Sequence, residues 1–512
     1  MEESLEQPYD FIIIGAGLGG LLSAALLAKE NFRVLVLEKN KQIGGALQSF
    51  ALDAKLFETS VHYIGSMNEG ETLHQLYNYL GIADKLQLLQ LDSDCYDEIR
   101  FGDTSFRLAQ THAGFVETLA KQFPEERLGL EHFMHEIKHV CNHFPLYNMR
   151  LGSADEKEEV IHIGLKEVLD KHISNTTLKH ILCGNNLLFA GHLETTPFYL
   201  YALVQNSYIE SSYKFKKGSA QLAKLLQDII HEQGGKVKRS VQVNCIQEIE
   251  GRIGYVEDRG GKKYYANHII SNLHPAETYK MVTGSLIKTA TRKRIASTEN
   301  TLSAFMVNIS LKEKTIPYIN HNIYYHLDED VWKDVTSDKG ETPNSYGIYF
   351  YPDMDLRYAE GIAILTYMHE SEIPVGIDTF RTTSSFKSRG NAYELWKYKK
   401  ALQIIEQIDK VIPGLKDAEK KMDACTPLTY RDYLNTPQGS MYGFRKKLND
   451  IANTTYSVRT KIPNLYLTGQ NINLHGVLGV SITAVLTAAE FVGLDYLVNK
   501  ISKANQRAEK MV

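Results

Sequence analysis

An α/β fold is what this 512-residue sequence predicts, and three observations carry the prediction. Residues Asp10 to Lys39, DFIIIGAGLGGLLSAALLAKENFRVLVLEK, read as strand, glycine-rich turn, helix and second strand. A helical pattern followed by strand-like alternation returns at KKGSAQLAKLLQDIIHEQGG and KVKRSVQVNCIQEI. Near the C-terminus, Asn464 to Gly479 reads NLYLTGQNINLHGVLG and precedes a small-residue helix from Val480 to Val492. The length is about three times that of a typical domain, so two packed domains or one composite fold are expected. An apolar share of 43% with 23% charged residues excludes wholesale disorder and a multi-span membrane protein. A net charge of −4 advertises no nucleic-acid partner.

The first segment carries the most chemistry. Phe11 to Ala28 is an 18-residue uncharged stretch that hydropathy alone would flag as a membrane span. Its glycines, Gly15, Gly17, Gly19 and Gly20, break that reading and give a buried strand, a turn and the apolar start of a helix. In Gly15-x-Gly17-x-x-Gly20 the first glycine allows a sharp turn, the second a close approach to a pyrophosphate, and the third tight helix–strand packing. The helix N-terminus then meets the anion with free N–H groups and its positive dipole end. The second strand, VLVL, ends at Glu38, where an acid accepts from a ribose hydroxyl. This is a Rossmann-like dinucleotide site.

In the second segment Leu222, Leu225, Leu226, Ile229 and Ile230 fall at helical spacing, Ser219 is the expected N-cap, and Gly234-Gly235 the stop. KVKRSVQVNCIQEI is expected to be a strand. The tyrosine-rich stretches FYLYALVQNSYIESSYKF, INHNIYYHL and NSYGIYFYP suit strands or pocket walls, and an aromatic cleft suits a long conjugated molecule.

Gly44-Gly45 after Glu38, HYIG at His62 to Gly65, SNLHP at Ser271 to Pro275 and the C-terminal LTGQN segment together resemble the FAD-dependent phytoene desaturase, carotenoid isomerase and retinol saturase family. The resemblance covers about 200 residues in three blocks. It implies a Rossmann-like FAD-binding domain of glutathione reductase type, discontinuous over 8–95, 215–280 and 455–500. An interleaved α+β substrate domain would occupy 96–214 and 281–454, with flexible termini at 1–7 and 501–512. It implies FAD contacts from Gly15, Ala16, Gly17, Leu18, Gly19, Gly20, Glu38, Lys39, Gly44, Gly45 and Ala46. Further along come the Val243 backbone and Gly469, Gln470, Asn471, Gly476, Val477 and Gly479. The chain departs from the family at Gly218-Ser219, where Gly-Gly is usual, at Asn471, where Asp is common and the amide carries no charge, and at the bulky Leu474-His475. The resemblance brings His62 and His475 toward the flavin, as candidate proton donors for hydrogenation of a C=C bond.

The implied activity is an FAD-dependent oxidoreductase on carbon–carbon double bonds of an apolar polyene or isoprenoid, of saturase type, with desaturation and cis–trans isomerisation as close alternatives and a flavin amine oxidase as a more distant one. An external electron donor or acceptor is expected, because only one glycine fingerprint is present. From another class, HEIKH at His135 to His139, with His132 and His143 nearby, matches the HExxH zinc-hydrolase signature. Pro145 stands where a metzincin would place its third histidine, although Glu158 and Glu159 are available, and the segment is read as an amphipathic helix without metal. Cys95, Cys141, Cys183, Cys245 and Cys425 are scattered and odd in number, which suits a reducing compartment. With an acidic MEESLEQPYD start, cytoplasmic residence is expected. The clusters Lys214-Phe215-Lys216-Lys217, Arg292-Lys293-Arg294 and Arg445-Lys446-Lys447 are candidates for peripheral membrane contact.

Overall fold

The structure is a computed structural model and describes residues 9–153, 155–336, 342–385 and 387–509. Its first sheet is wholly parallel, in the spatial order Lys236–Lys238, Val34–Leu37, Tyr9–Ile14, Ala266–Ser271, Leu465–Leu467. Counted along the chain this is 3-2-1-4-5, the doubly wound order, and the direction of winding reverses between Tyr9–Ile14 and Ala266–Ser271. Both faces are covered, which is why these strands read as unbroken apolar runs. Phe11, Ile13, Val34 and Val36 pack with helices Leu18–Lys29, Ala220–Glu232 and Gly476–Val492. Ile12, Ile14, Leu35 and Leu37 pack instead on a three-stranded antiparallel meander, Val243–Ile249, Arg252–Asp258 and Lys263–Tyr264.

The second sheet has seven strands, ordered Glu419–Cys425, Ser303–Leu311, Ala359–Met368, Ser345–Pro352, Asn322–His326, Asp97–Phe101, Thr104–Leu108. All its pairings are antiparallel except that of Asn322–His326 with Asp97–Phe101. Strand alternation gives it two apolar faces. Met306, Tyr324, Tyr349, Leu365 and Tyr367 turn toward the main core, and Val307, Ile323, Ile348 and Ile364 turn toward the helix Asn391–Ile408.

Four expectations need correction. FYLYALVQNSYIE forms a helix, Phe198–Glu210, and only Ser212–Phe215 is a strand. That helix is buried on nearly every side, so no polar face marked its period. KVKRSVQVNCIQEI is two strands in two sheets, broken at Ser240, whose φ of +57° turns the chain from the parallel sheet to the meander. Ser219 precedes helix Ala220–Glu232 without capping it, because its hydroxyl donates to Glu58 and the Leu47 carbonyl. The expected flexible C-terminus is helical from Leu494 to Glu509, with Asn505 bonded to Gln75 and Asn78, while residues 1–7 and 510–512 lie outside the described residues. Among the described residues no helix is long and apolar enough to cross a membrane.

Candidate active site

A cavity of about 630 Å³ opens at the carboxyl ends of the parallel strands, where the winding reverses. This is the crevice in which doubly wound sheets bind ligands. Its floor is the glycine turn. Gly15 has φ +95°, a conformation that a side chain would strain. A Cβ on Gly20 would lie 2.1 Å from the Gly15 carbonyl oxygen, so that glycine serves helix–strand packing and does not line the cavity. Gly44 forms a bridge with Gly17, and a Cβ on Gly45 would stand 3.1 Å from the Gly17 Cα. Two glycine-rich segments thus meet back to back, leaving a bare backbone surface at the N-terminus of helix Leu18–Lys29.

Glu38 closes this end. Its Oε2 accepts from the Ala16 N–H and its Oε1 from the Asn40 N–H, each at 2.8 Å, so the carboxylate ties the turn to the strand that follows. Burial raises its pKa, against the backbone donors that lower it. Ala16 does not line the cavity; its N–H binds Glu38 and its carbonyl accepts from the Gly44 N–H at 2.7 Å. Lys39 points across the cavity and donates to the Asp432 carbonyl at 2.6 Å, and burial lowers its pKa to about 8. Val243 lines the same end with Gln242, Arg259 and Phe380.

The other end is aromatic and is framed by His62, Tyr63, Tyr208, Tyr349, Tyr430 and Tyr442. Gly469, Gln470, Asn471, Gly476 and Val477 deliver the N-terminus of helix Gly476–Val492 to it. A second positive helix end therefore faces the same cavity. The Asn471 Oδ1 accepts from the Phe444 N–H at 3.0 Å, which turns the uncharged amide toward the protein backbone. Gly479 packs on Leu474, where a Cβ would clash at 2.6 Å, and stays off the cavity wall.

The two histidines differ from expectation. His475 does not line the cavity. Its Nε2 lies 3.0 Å from the Leu188 carbonyl, its ring stacks on Tyr442, and burial lowers its pKa to about 4. His62 does line it, stacked on Tyr349 with centroids 3.9 Å apart, Nδ1 3.3 Å from the Tyr351 hydroxyl and a buried Nε2 without a partner among the described residues. Burial, with Lys214 adding to it, lowers its pKa to about 3. Such lowered pKa values favour the neutral ring of both histidines near neutral pH.

Sequence reading missed Asn272, which sits between the strands where winding reverses. Its Nδ2 donates to the Gly15 carbonyl at 3.4 Å, and Cβ atoms built on Gly17, Gly19 or Gly469 would all fall within 3 Å of its amide. One side chain thus joins the glycine turn to the C-terminal motif, and its place directly after an apolar strand was the available signal.

Elsewhere, helix Arg127–Asn142 buries Phe133, Met134 and Ile137 and exposes His132, His135 and His139. Glu136 is bonded to Lys171 and His172. Among the described residues no three His, Cys, Asp or Glu side chains are grouped to hold a metal. Two basic clusters are only partly free surface, with Lys216 and Lys217 exposed. Lys214 is buried under Tyr318 with its amine 3.4 Å from the Phe350 carbonyl, and Lys446 is buried on the Thr454 carbonyl, while Arg445 and Lys447 pair with Glu299.

Residues 13–80 match the family model of an NAD(P)-binding Rossmann-like domain. Solved structures of the same fold include putrescine oxidase bound to putrescine, at TM-score 0.63 and 12% identity over 95% of this chain and 99% of that one. A CLA-producing fatty acid isomerase from P. acnes aligns at TM-score 0.59 and 10% identity over 97% and 98%. The likeness to these structures extends over nearly the whole chain and is one of fold: a Rossmann-like dinucleotide-binding unit joined to a second sheet. Along the sequence, an all-trans-retinol 13,14-reductase from Rattus norvegicus is 26% identical over 94% of this chain and 85% of its own. Prolycopene isomerase 1, chloroplastic, from an Oncidium hybrid cultivar is 25% identical over 95% and 84%. The chain is thus similar over nearly its whole length to these reductases and isomerases.

Proposed function

We propose that this protein is an FAD-dependent oxidoreductase that hydrogenates a carbon–carbon double bond of a long apolar polyene or isoprenoid. The observation that carries the reading is one continuous cavity with two unlike ends. One end is bare glycine backbone, a helix N-terminus and Glu38; the other is a ring of tyrosines at the N-terminus of a second helix. The first suits a pyrophosphate and ribose, and the second a flat ring system lying beside a conjugated chain. When bound, FAD supplies hydride transfer at its isoalloxazine ring. Gly15, Gly17 and Gly44-Gly45 would hold its pyrophosphate, Glu38 its adenosine ribose and Val243 its adenine. Gly469 to Asn471 and Gly476-Val477 would hold the flavin end. The tyrosine walls exclude water and orient the alkene. The retinol 13,14-reductases among the relatives favour reduction, and the prolycopene isomerases favour cis–trans isomerisation as a second reading.

A single dinucleotide fingerprint supports an external electron carrier. NADPH alone is then expected to bleach the purified flavin slowly and a partner reductase or dithionite readily. Denatured protein is expected to release FAD, and Gly17→Val to lose it, since a side chain there would meet the Asn272 amide and fill the pyrophosphate approach. Recovery of FMN, or colourless protein that FAD cannot reconstitute, sinks the cofactor assignment. Anaerobic incubation with retinoids and carotenes separates the two reactions. Reduction consumes one reducing equivalent pair per product, and isomerisation consumes none.

A further inference from the structure

Behind the aromatic end of the cavity lies a buried polar chain that the site described so far does not use. The Tyr63 hydroxyl donates to Asp97 Oδ2 at 2.8 Å and shares a 2.8 Å bond with the Tyr324 hydroxyl, to which the Tyr349 hydroxyl donates at 3.4 Å. Tyr63 and Tyr349 line the cavity; Asp97 and Tyr324 are fully buried. Asp97 also accepts from Asn185 at 3.1 Å and from Asn322 at 2.9 Å, so none of its bonded partners is a cation. Burying a carboxylate among neutral donors is costly, which favours its protonated form.

We propose that Tyr349 is the proton-transfer residue of the reaction and that Tyr324, Tyr63 and Asp97 form the relay and store behind it. This rests on the reading of the protein as a polyene oxidoreductase and supplies the acid that the two neutral histidines do not. In the reductive direction a bound, reduced flavin would supply the hydride to one alkene carbon, and the Tyr349 hydroxyl would give its proton to the neighbouring carbon. The chain starts with Asp97 protonated, and the Tyr349 and Tyr63 hydroxyls, which point at Tyr324 and Asp97 at rest, turn about their C–O bonds as protons pass. The Tyr349 oxygen then regains a proton from Tyr324, Tyr324 from Tyr63, and Tyr63 from Asp97, which is left as a carboxylate and later recovers one proton from solvent. The same chain run backward accepts a proton from the substrate. The longest step, 3.4 Å, is expected to tighten when substrate fills the cavity.

The store is chemically suited to this. Burial raises the Asp97 pKa to about 6 against its three hydrogen bonds, with His321 also lowering it. Other groups coupled electrostatically to the chain are Lys214, Cys95 and the phenols Tyr96, Tyr208, Tyr351, Tyr367, Tyr430 and Tyr442, while the adjacent Glu98 is held by Arg100 and His321. Proton transfer through such a group occurs near neutral pH without an exposed acid.

Two measurements on the purified full-length protein test the relay. The first is infrared titration. A protonated-carboxyl stretch is expected to appear as pH falls through about 6, to shift in D2O, to vanish in Asp97→Asn and to change frequency in Tyr63→Phe. The second is anaerobic kinetics. Tyr349→Phe is expected to lower kcat by about 10²-fold or more with KM nearly unchanged, and to alter the solvent-deuterium isotope effect, while Tyr324→Phe loses less. A Tyr349→Phe protein that reacts at the wild-type rate, or a wild-type minus Asp97→Asn difference spectrum with no band titrating near pH 6 beside those of Glu58 and Glu210, overturns the proposal. If Asp97→Asn fails to fold, the Tyr63→Phe frequency decides the infrared arm. A wild-type protein inert to every polyene overturns the functional reading instead, and the infrared arm still judges the proton store.

Discussion

At Glu58 three separated parts of the chain meet on one buried carboxyl. Its oxygens accept from the Ser219 N–H at 2.8 Å, from the Ser49 hydroxyl at 3.1 Å and from the Ser219 hydroxyl, yet burial still pushes its pKa to about 7 from 4.5. The folded protein therefore holds this proton more tightly than the unfolded chain. The resulting stability is complete below about pH 4.5 and is lost as pH rises through about 7, a change of about 3 kcal/mol. Glu58→Gln cannot ionise, so its urea-unfolding free energy is expected to be flatter than that of wild type between pH 5 and 8. Parallel curves for the two proteins count against this account. Gly218-Ser219 in place of Gly-Gly thereby acquires a reason, because the serine hydroxyl adds a donor on Glu58 that glycine lacks.

Among the elements, the segment around Asp432 is the most exposed to a single change. Asp432 is fully buried in helix Pro427–Leu434 and accepts from Arg389 at 2.6 Å, the Arg381 N–H at 2.7 Å and Arg431 at 2.9 Å. Its carbonyl receives Lys39, and the following residues line the cavity. Asp432→Ala leaves Arg389 buried without its counter-ion, and a loss of about 3–5 kcal/mol with weakened flavin retention is expected by chemical unfolding and flavin fluorescence. The helix carrying HEIKH is the opposite case. His135→Ala with His139→Ala is expected to leave flavin content and turnover nearly intact, since both side chains are on the outer face, and stoichiometric zinc lost with activity would reverse that expectation. These elements also show where the sequence was legible. The glycine turn, Glu38 and the helix Ala220–Glu232 announce themselves through local spacing. Helix Phe198–Glu210 does not, because it is buried on nearly all sides. Asp97, Tyr324 and Tyr349 stand on three different strands far apart along the chain and become one group only through sheet pairing, a relation that no local pattern encodes.

The whole molecule is bound together by its cavity, whose walls come from residues 14 to 480. Heat or urea is therefore expected to unfold the chain and release the flavin in one coincident transition, monitored by far-UV dichroism and flavin fluorescence. Removing the cofactor should lower the midpoint, and FAD at about 100 times its dissociation constant should restore about 2.7 kcal/mol. Separate transitions for flavin release and global unfolding would speak against this coupling. The strand order 3-2-1-4-5 has a further consequence in time. Tyr9–Ile14 leaves the ribosome first, and its neighbour Ala266–Ser271 and the edge strand Leu465–Leu467 follow about 250 and 450 residues later. Val34–Leu37 pairs on one side almost at once, but at about 5–20 residues per second the other side of Tyr9–Ile14 waits from roughly ten seconds to nearly a minute for Ala266–Ser271, and the edge strand takes about twice as long. Cofactor capture therefore belongs to the end of synthesis, and nascent chains halted before Leu465 are expected to be clients of chaperones that shield unpaired strands, carrying no flavin at all.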